Sequence, residues 1–206
     1  MTTGARPERS LAPLAEPFQR FAALLEDARA VGQERLPEPT AFALATCVDA
    51  QPSVRMLLLK GVDEAGFVFY TNYESRKGRE LLANPRAAMC FHWQPLELQV
   101  RVEGRATPVE SAEADTYFAS RARGSQIGAW ASRQSHPIAT AGELEARVAE
   151  FERKFERGDV PRPEHWSGFR LVPERIEFWK GMPNRLHRRE LYRRAADGWT
   201  VETLFP

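Results

Sequence analysis

AFALATCVDAQPSVRMLLLKGVDEAGFVFYTN, residues 41–72, sets the architecture. Its apolar or alternating stretches, 40–48, 53–60 and 67–72, are separated by Asp49-Ala50-Gln51-Pro52 and Asp63-Glu64-Ala65-Gly66. Such connections suit tight turns and are far too short for the crossover helix that parallel strands require. Consecutive strands joined this way pair antiparallel. Working outward, 86–93 and 97–106 have the same character, and a final set follows at 168–173, 174–180, 189–194 and 198–204. Helices are predicted at 75–83, 110–122 and 142–157, the last with Leu144, Val148, Phe151 and Phe155 as its packed face. Another opens at Pro17, a favoured first-turn position, and carries Phe18, Phe21, Leu25 and Ala28 at helical spacing. The pattern predicts an antiparallel barrel or sandwich with peripheral helices. Residues 1–16, polar and rich in Pro and Ala, read as a flexible arm, and 17–206 as one domain.

The 206 residues suffice for one domain with a real core, and 43% hydrophobic content argues against global disorder. With 29 basic against 28 acidic residues, the net charge is +1. A dedicated nucleic-acid binder shows a basic excess, so any cationic site must be local. Cys47 and Cys90 sit in apolar runs without metal-ligand spacing and read as buried free thiols in a reducing compartment. MTTGARPERS has no apolar signal region, and no run approaches the ~18 apolar residues of a membrane span. A cytoplasmic protein without membrane contact is expected.

Cations nevertheless gather in four places. In SVRMLLLK, 53–60, Arg55 and Lys60 flank an apolar strand, and strict alternation puts them on opposite faces. Either a bulge intervenes or they serve different groups. In YTNYESRKGRELLANP, 70–85, Ser75 reads as an N-cap, with Arg76 and Lys77 in the first turn. The helix dipole is positive there, so two cations at that end suit a bound anion such as phosphate. In DTYFASRARGSQIGAW, 115–130, Tyr117 and Arg121 share a helical face that Ser125 extends if the helix continues; Gly124 is a candidate stop. A phenol, a guanidinium and a hydroxyl suit a second phosphate. In EFWKGMPNRLHRRELYRR, 177–194, Arg185 and His187 alternate around Leu186, and Phe178 and Trp179 offer a flat surface to an aromatic ligand. Neither GxGxxG nor GxxxxGK[ST] is present. His92, His136 and His165 are scattered and read as structural, so no metal site is expected.

RMLLLK, FVFYTNYESRKGRELLANPRA, QVRVEG, YFASRARGSQIGAWASRQS, VPRPEHWSGFR, IEFW and RLH follow one another in order from about residue 38 to the C-terminus. This series resembles the pyridoxamine 5′-phosphate oxidase family. The resemblance implies an FMN-binding split β-barrel, a Greek-key antiparallel barrel with peripheral helices, assembled as a homodimer. It implies oxidation of pyridoxamine or pyridoxine 5′-phosphate to pyridoxal 5′-phosphate, with O2 as acceptor and H2O2 as product, and ammonia from the amine. By position, Arg55, Met56, Leu57, Leu58, Leu59, Lys60, Tyr70, Thr71, Arg76 and Lys77 would hold FMN from one subunit. Gln99, Gln134, Ser135, Trp179 and Arg189 would complete that site from the other. Lys60, Tyr117, Arg121 and Ser125 would take the substrate phosphate, and Arg185 and His187 would orient the substrate ring as the catalytic pair.

Two features depart from the family pattern: a short segment before Pro17 with no tyrosine, and Arg188 where an acidic residue usually follows the histidine. The alternatives are a flavin oxidase of the same fold acting on another substrate, phenazine-type, and a non-catalytic flavin-binding module. The Tyr117/Arg121/Ser125 set argues against the first, and Arg185 with His187 against the second.

Overall fold

The computed structural model describes residues 11–206. Residues 1–10 of the expected arm lie outside that range. Its remainder is structured: β1 (Leu11–Ala12) pairs with β10 (Gly198–Thr203), and α1 (Glu16–Ala30) has already begun at Pro17. The next elements are β2 (Ala41–Val48), β3 (Gln51–Leu58), β4 (Gly61–Asp63), β5 (Gly66–Asn72) and α2 (Arg76–Ala83). After them come β6 (Arg86–Trp93), β7 (Leu98–Pro108), α3 (Ser111–Ser120), α4 (Arg123–Ala131) and α5 (Ala141–Lys154). β8 (Trp166–Lys180) and β9 (Arg188–Ala195) precede β10.

Every strand pairing is antiparallel, in the order β1-β10-β9-β8-β7-β6-β2-β3, with β5 joining β4 to β8. The 15-residue β8 is the hub: Trp166 to Leu171 pair with β5, and Arg175 to Lys180 pair with β9. One strand of a single sheet therefore changes partner along its length, from β5 at one end to β9 at the other.

β8 corrects the expectation of two strands at 168–173 and 174–180. Pro173 lacks an N–H for the ladder, which by itself suggests a break. The chain instead shifts register against β7 between Glu103 and Gly104, placing Gly104 opposite Pro173. A Cβ on Gly104 would lie 2.0 Å from the Val172 carbonyl oxygen, so only glycine permits this bulge.

The core fills the barrel from one side. Phe21 packs edge-on to Phe67 and Phe91, each at 4.9 Å, so α1 seats its apolar stripe on the sheet as its spacing predicted. A second cluster, Phe118, Ile127, Val160 and Trp166, lies under α3–α5. Val148, Phe151 and Phe155 pack against it, but Leu144 is exposed, a correction to the predicted face of α5. Cys47 and Cys90 are free but only half-buried. No described helix is long and apolar enough to cross a membrane.

Candidate active site

At the Trp166 end of β8 a pocket of about 500 Å³ opens between the barrel and the helices. β3 and the bend after it give Met56, Leu57, Leu58 and Lys60. β5 gives Tyr70, Thr71 and Asn72, and the helical side gives Tyr117, Arg121, Ser125 and Gln134. The described lining contains no Asp or Glu.

The strand alternation question resolves at Leu58, where β3 ends. Lys60 then donates its backbone N–H to Val68 and turns toward the pocket, while Arg55 points to Glu80. The two cations serve different groups. Leu59 is buried in the barrel core, not at the pocket wall.

Tyr117, Arg121 and Ser125 meet here by a route the helical spacing did not predict. The helix expected over 110–122 ends at Ser120, and Arg121 is extended (φ −74°, ψ 148°). α4 starts at Arg123, so Gly124 lies inside it and Ser125 occupies its first turn. Gln126 braces the break by donating to the Phe118 and Ala119 carbonyls. The row is broken, yet the fold-back returns all three side chains to one cavity.

The rings beside them are stacked. Tyr117 lies 4.0 Å from Tyr70, nearly parallel, and Tyr70 lies 5.5 Å from Trp166. Burial, then the Glu113 carboxylate, push the Tyr70 phenol up to about 12, so it remains a neutral donor. The Arg121 guanidinium sits 4.7 Å over Trp166. Its Nη1 is buried without a hydrogen-bond partner among the described residues. Trp166 was not among the expected site residues; its place follows from β8 starting beside α3, where it packs edge-on to Phe118.

α2 forms as its sequence predicted. Ser75 caps it by accepting from the Gly78 N–H. A Cβ on Gly78 would lie 2.4 Å from the Tyr73 carbonyl oxygen, so glycine lets the first turn press onto β5. Lys77, 8% exposed, donates to Thr71, Ser75 and Gln134, all neutral. Burial, then repulsion from Arg55, lower its pKa to about 8, with Glu80 opposing. Gln134, expected from a second subunit, thus sits 2.9 Å from Lys77 of its own chain. Ser135, left-handed at φ 70°, follows it outside this pocket.

Glu80 is the organiser behind that wall. Oε2 accepts from Thr46, Ser53 and Arg55, and Oε1 from Arg76. Burial alone would raise its carboxyl, but the bonds from Ser53, Thr46, Arg76 and Arg55 outweigh it and hold it at about 2.

The remaining expected residues lie at the far end of β8. Gln99, Trp179 and Arg189 are register partners across β7, β8 and β9, so they share one face. Arg189 grips Glu177 through Nε (2.8 Å) and Nη2 (3.2 Å), and Arg101 takes the same carboxylate. Phe178 does not join Trp179 as a flat surface: adjacent strand residues face opposite ways, and Phe178 is in the core. Arg185 and His187 do not alternate along a strand either. Asn184 and Arg185 are left-handed (φ 57° and 60°), in a turn before β9. His187 packs 4.6 Å from Trp179, and its Nδ1 accepts from the Met182 N–H, which leaves the neutral ring's proton on Nε2.

Residues 29–155 match the family model of pyridoxamine 5′-phosphate oxidase, and 166–206 that of the pyridoxine 5′-phosphate oxidase C-terminal dimerisation region. The chain belongs to the pyridoxamine 5′-phosphate oxidase family. Pyridoxine/pyridoxamine 5′-phosphate oxidase of Myxococcus xanthus is 59% identical over 192 residues, 93% of this chain and 92% of its own. That of Rhodospirillum rubrum is 57% identical over 93% of this chain and 96% of its own. PhzG of Burkholderia lata, solved with tetrahydrophenazine-1-carboxylic acid, is 32% identical with a TM-score of 0.87, covering 100% of this chain and 99% of that one. The split-barrel fold expected of the family is therefore the fold of this chain.

Proposed function

We propose that this protein is an FMN-dependent oxidase of pyridoxine and pyridoxamine 5′-phosphates, forming pyridoxal 5′-phosphate with O2 as acceptor and H2O2 as product. One observation supports it above the others. Arg121, whose Nη1 is buried without a partner among the described residues, lines a pocket with Lys60, Tyr117 and Ser125, and that lining has no described acidic residue. Buried donors left unpaired are costly, so such a cluster suits a ligand that brings the acceptor. In this reading those four groups bind the substrate phosphate.

The residues present also fit FMN. Lys77 is a buried ammonium with only neutral partners at a helix start, which suits the cofactor phosphate. Arg55, Arg76, Lys77, Thr71 and Gln134 would hold that phosphate, with Met56–Leu58 along the isoalloxazine ring. FMN when bound supplies the two-electron acceptor that O2 regenerates. Arg185 and the His187 Nε2–H orient the substrate ring.

The active unit in this proposal is a homodimer. Trp166 and Trp179 are thirteen residues apart on β8, roughly 40 Å along a strand rising about 3.3 Å per residue. Gln99, Trp179, Arg185, His187 and Arg189 would then reach the pocket from a second copy. β3 is the last strand in the sheet order and exposes Val54 and Met56, an apolar edge that a second copy would cover. Two free cysteines suit a reducing cytoplasmic setting.

A second reading, oxidation of a phenazine precursor, is favoured only by the likeness to PhzG. O2 uptake by the FMN-loaded protein separates the two. Uptake with pyridoxine 5′-phosphate, one H2O2 per turnover, is expected. No uptake with that substrate, alongside turnover of a reduced phenazine carboxylate, would overturn the assignment.

A further inference from the structure

Arginines in this chain are held by carboxylates, by backbone carbonyls, as Arg123 and Arg147 are, or by aromatic rings. Arg55, Arg76, Arg101 and Arg189 each bond a carboxylate, Glu80 or Glu177. Arg121 bonds none among the described residues. It is the extended C-cap of α3, held there by its backbone N–H on the Phe118 carbonyl. Its guanidinium carbon lies 4.7 Å from the centre of the Trp166 ring and 5.7 Å from that of Phe118. Trp166 is itself closely packed: 7% exposed, stacked on Tyr70, edge-on to Phe118 at 5.0 Å, and hydrogen-bonded through its backbone N–H to the Pro163 carbonyl.

The distinction has a chemical reason. A carboxylate holds a guanidinium through its in-plane N–H groups, the same groups that bind phosphate. An aromatic face attracts the cation from above and leaves every N–H free. We infer that Trp166 is a positioning residue: its ring holds the Arg121 guanidinium by the face and keeps the in-plane donors available to the substrate phosphate. The inference rests on the assignment of Arg121 to that phosphate.

The test uses the FMN-loaded protein and two inert ligands, 4-deoxypyridoxine 5′-phosphate and 4-deoxypyridoxine, whose 4-methyl group cannot be oxidised as the natural substrates are. Binding is read from the shift in flavin absorbance, and the quantity of interest is the ratio of the two Kd values. Trp166→Leu should shrink the preference for the phosphorylated ligand about tenfold, the scale of a desolvated cation–π contact. In the Arg121→Ala background the same substitution should change the ratio no further, because the two residues act as one unit. Equal weakening of both ligands by Trp166→Leu, or an undiminished effect without Arg121, would overturn the inference. Should Trp166→Leu lose FMN or fail to fold, Trp166→Phe keeps a ring with a weaker face; a loss of about threefold is expected, and an unchanged ratio overturns the inference. A ratio unaltered by Arg121→Ala alone would instead overturn the phosphate assignment beneath it.

Discussion

At its Trp166 end, β8 borders a concave pocket where donors converge and no described acidic side chain lines the wall. At its Trp179 end the same strand presents a row, Gln99, Trp179 and Arg189, whose arginine is already neutralised by Glu177. Burial raises the Glu177 carboxyl, but Arg189 and Arg101 outweigh it and hold it below the ordinary range. The first region therefore has unspent capacity for anions, and the second has rings and donors fixed for positioning. In the proposed reading, anion binding and substrate orientation are separate tasks, assigned to opposite ends of one strand.

The sharpest way to break that division is to damage the positioning end alone. His187→Ala should lower kcat about 10²-fold, the scale of a lost orienting contact, with FMN affinity changed little. The measurement pairs steady-state O2 uptake with fluorescence titration of FMN. Loss of flavin with normal turnover per bound flavin would mean that the two ends do not divide the work.

A smaller effect reports on the anion end. Lys77 has a pKa lowered to about 8 without ligand, and a phosphate dianion beside it would raise that value. Between the two values binding takes up one proton, so FMN affinity should fall roughly tenfold per pH unit above pH 8. The sign follows from the charged lysine being the binding form. Fluorescence titrations from pH 7 to 10 check it, and Lys77→Met should flatten the profile. A flat profile in the unaltered protein would remove Lys77 from the phosphate site.

The two regions were unequally legible in the sequence. α2 and its Ser75 cap were readable because capping is decided within four residues, whereas the anion expected at Arg76 and Lys77 belongs to the proposal. The hairpins around 49–50 and 64–65 were readable for the same local reason. The pocket's other wall was not. Tyr117, Arg121 and Ser125 kept helical spacing across a break between two helices, so they line one pocket by a backbone route that the spacing did not give. Trp166 carried no local signal, since its role depends on where β8 begins relative to α3. The two strands expected at 168–173 and 174–180 are one, because a glycine-enabled bulge in the β7–β8 ladder carries the pairing past Pro173. Gln134 could be placed with Lys77 only by the tertiary fold.

The central claim is that one working site takes its anion-binding wall from one chain and its positioning face from another. Co-expression of an Arg121→Ala, Lys77→Met chain with a His187→Ala chain tests it directly, provided each variant alone is nearly inactive. In a randomly assorted two-fold dimer, half the molecules are mixed and each mixed molecule keeps one undamaged site, so about a quarter of the unaltered activity should return. Activity no greater than that of the separate variants, with mixed dimers present by mass spectrometry, would show that each site is built within a single chain and would contradict the account.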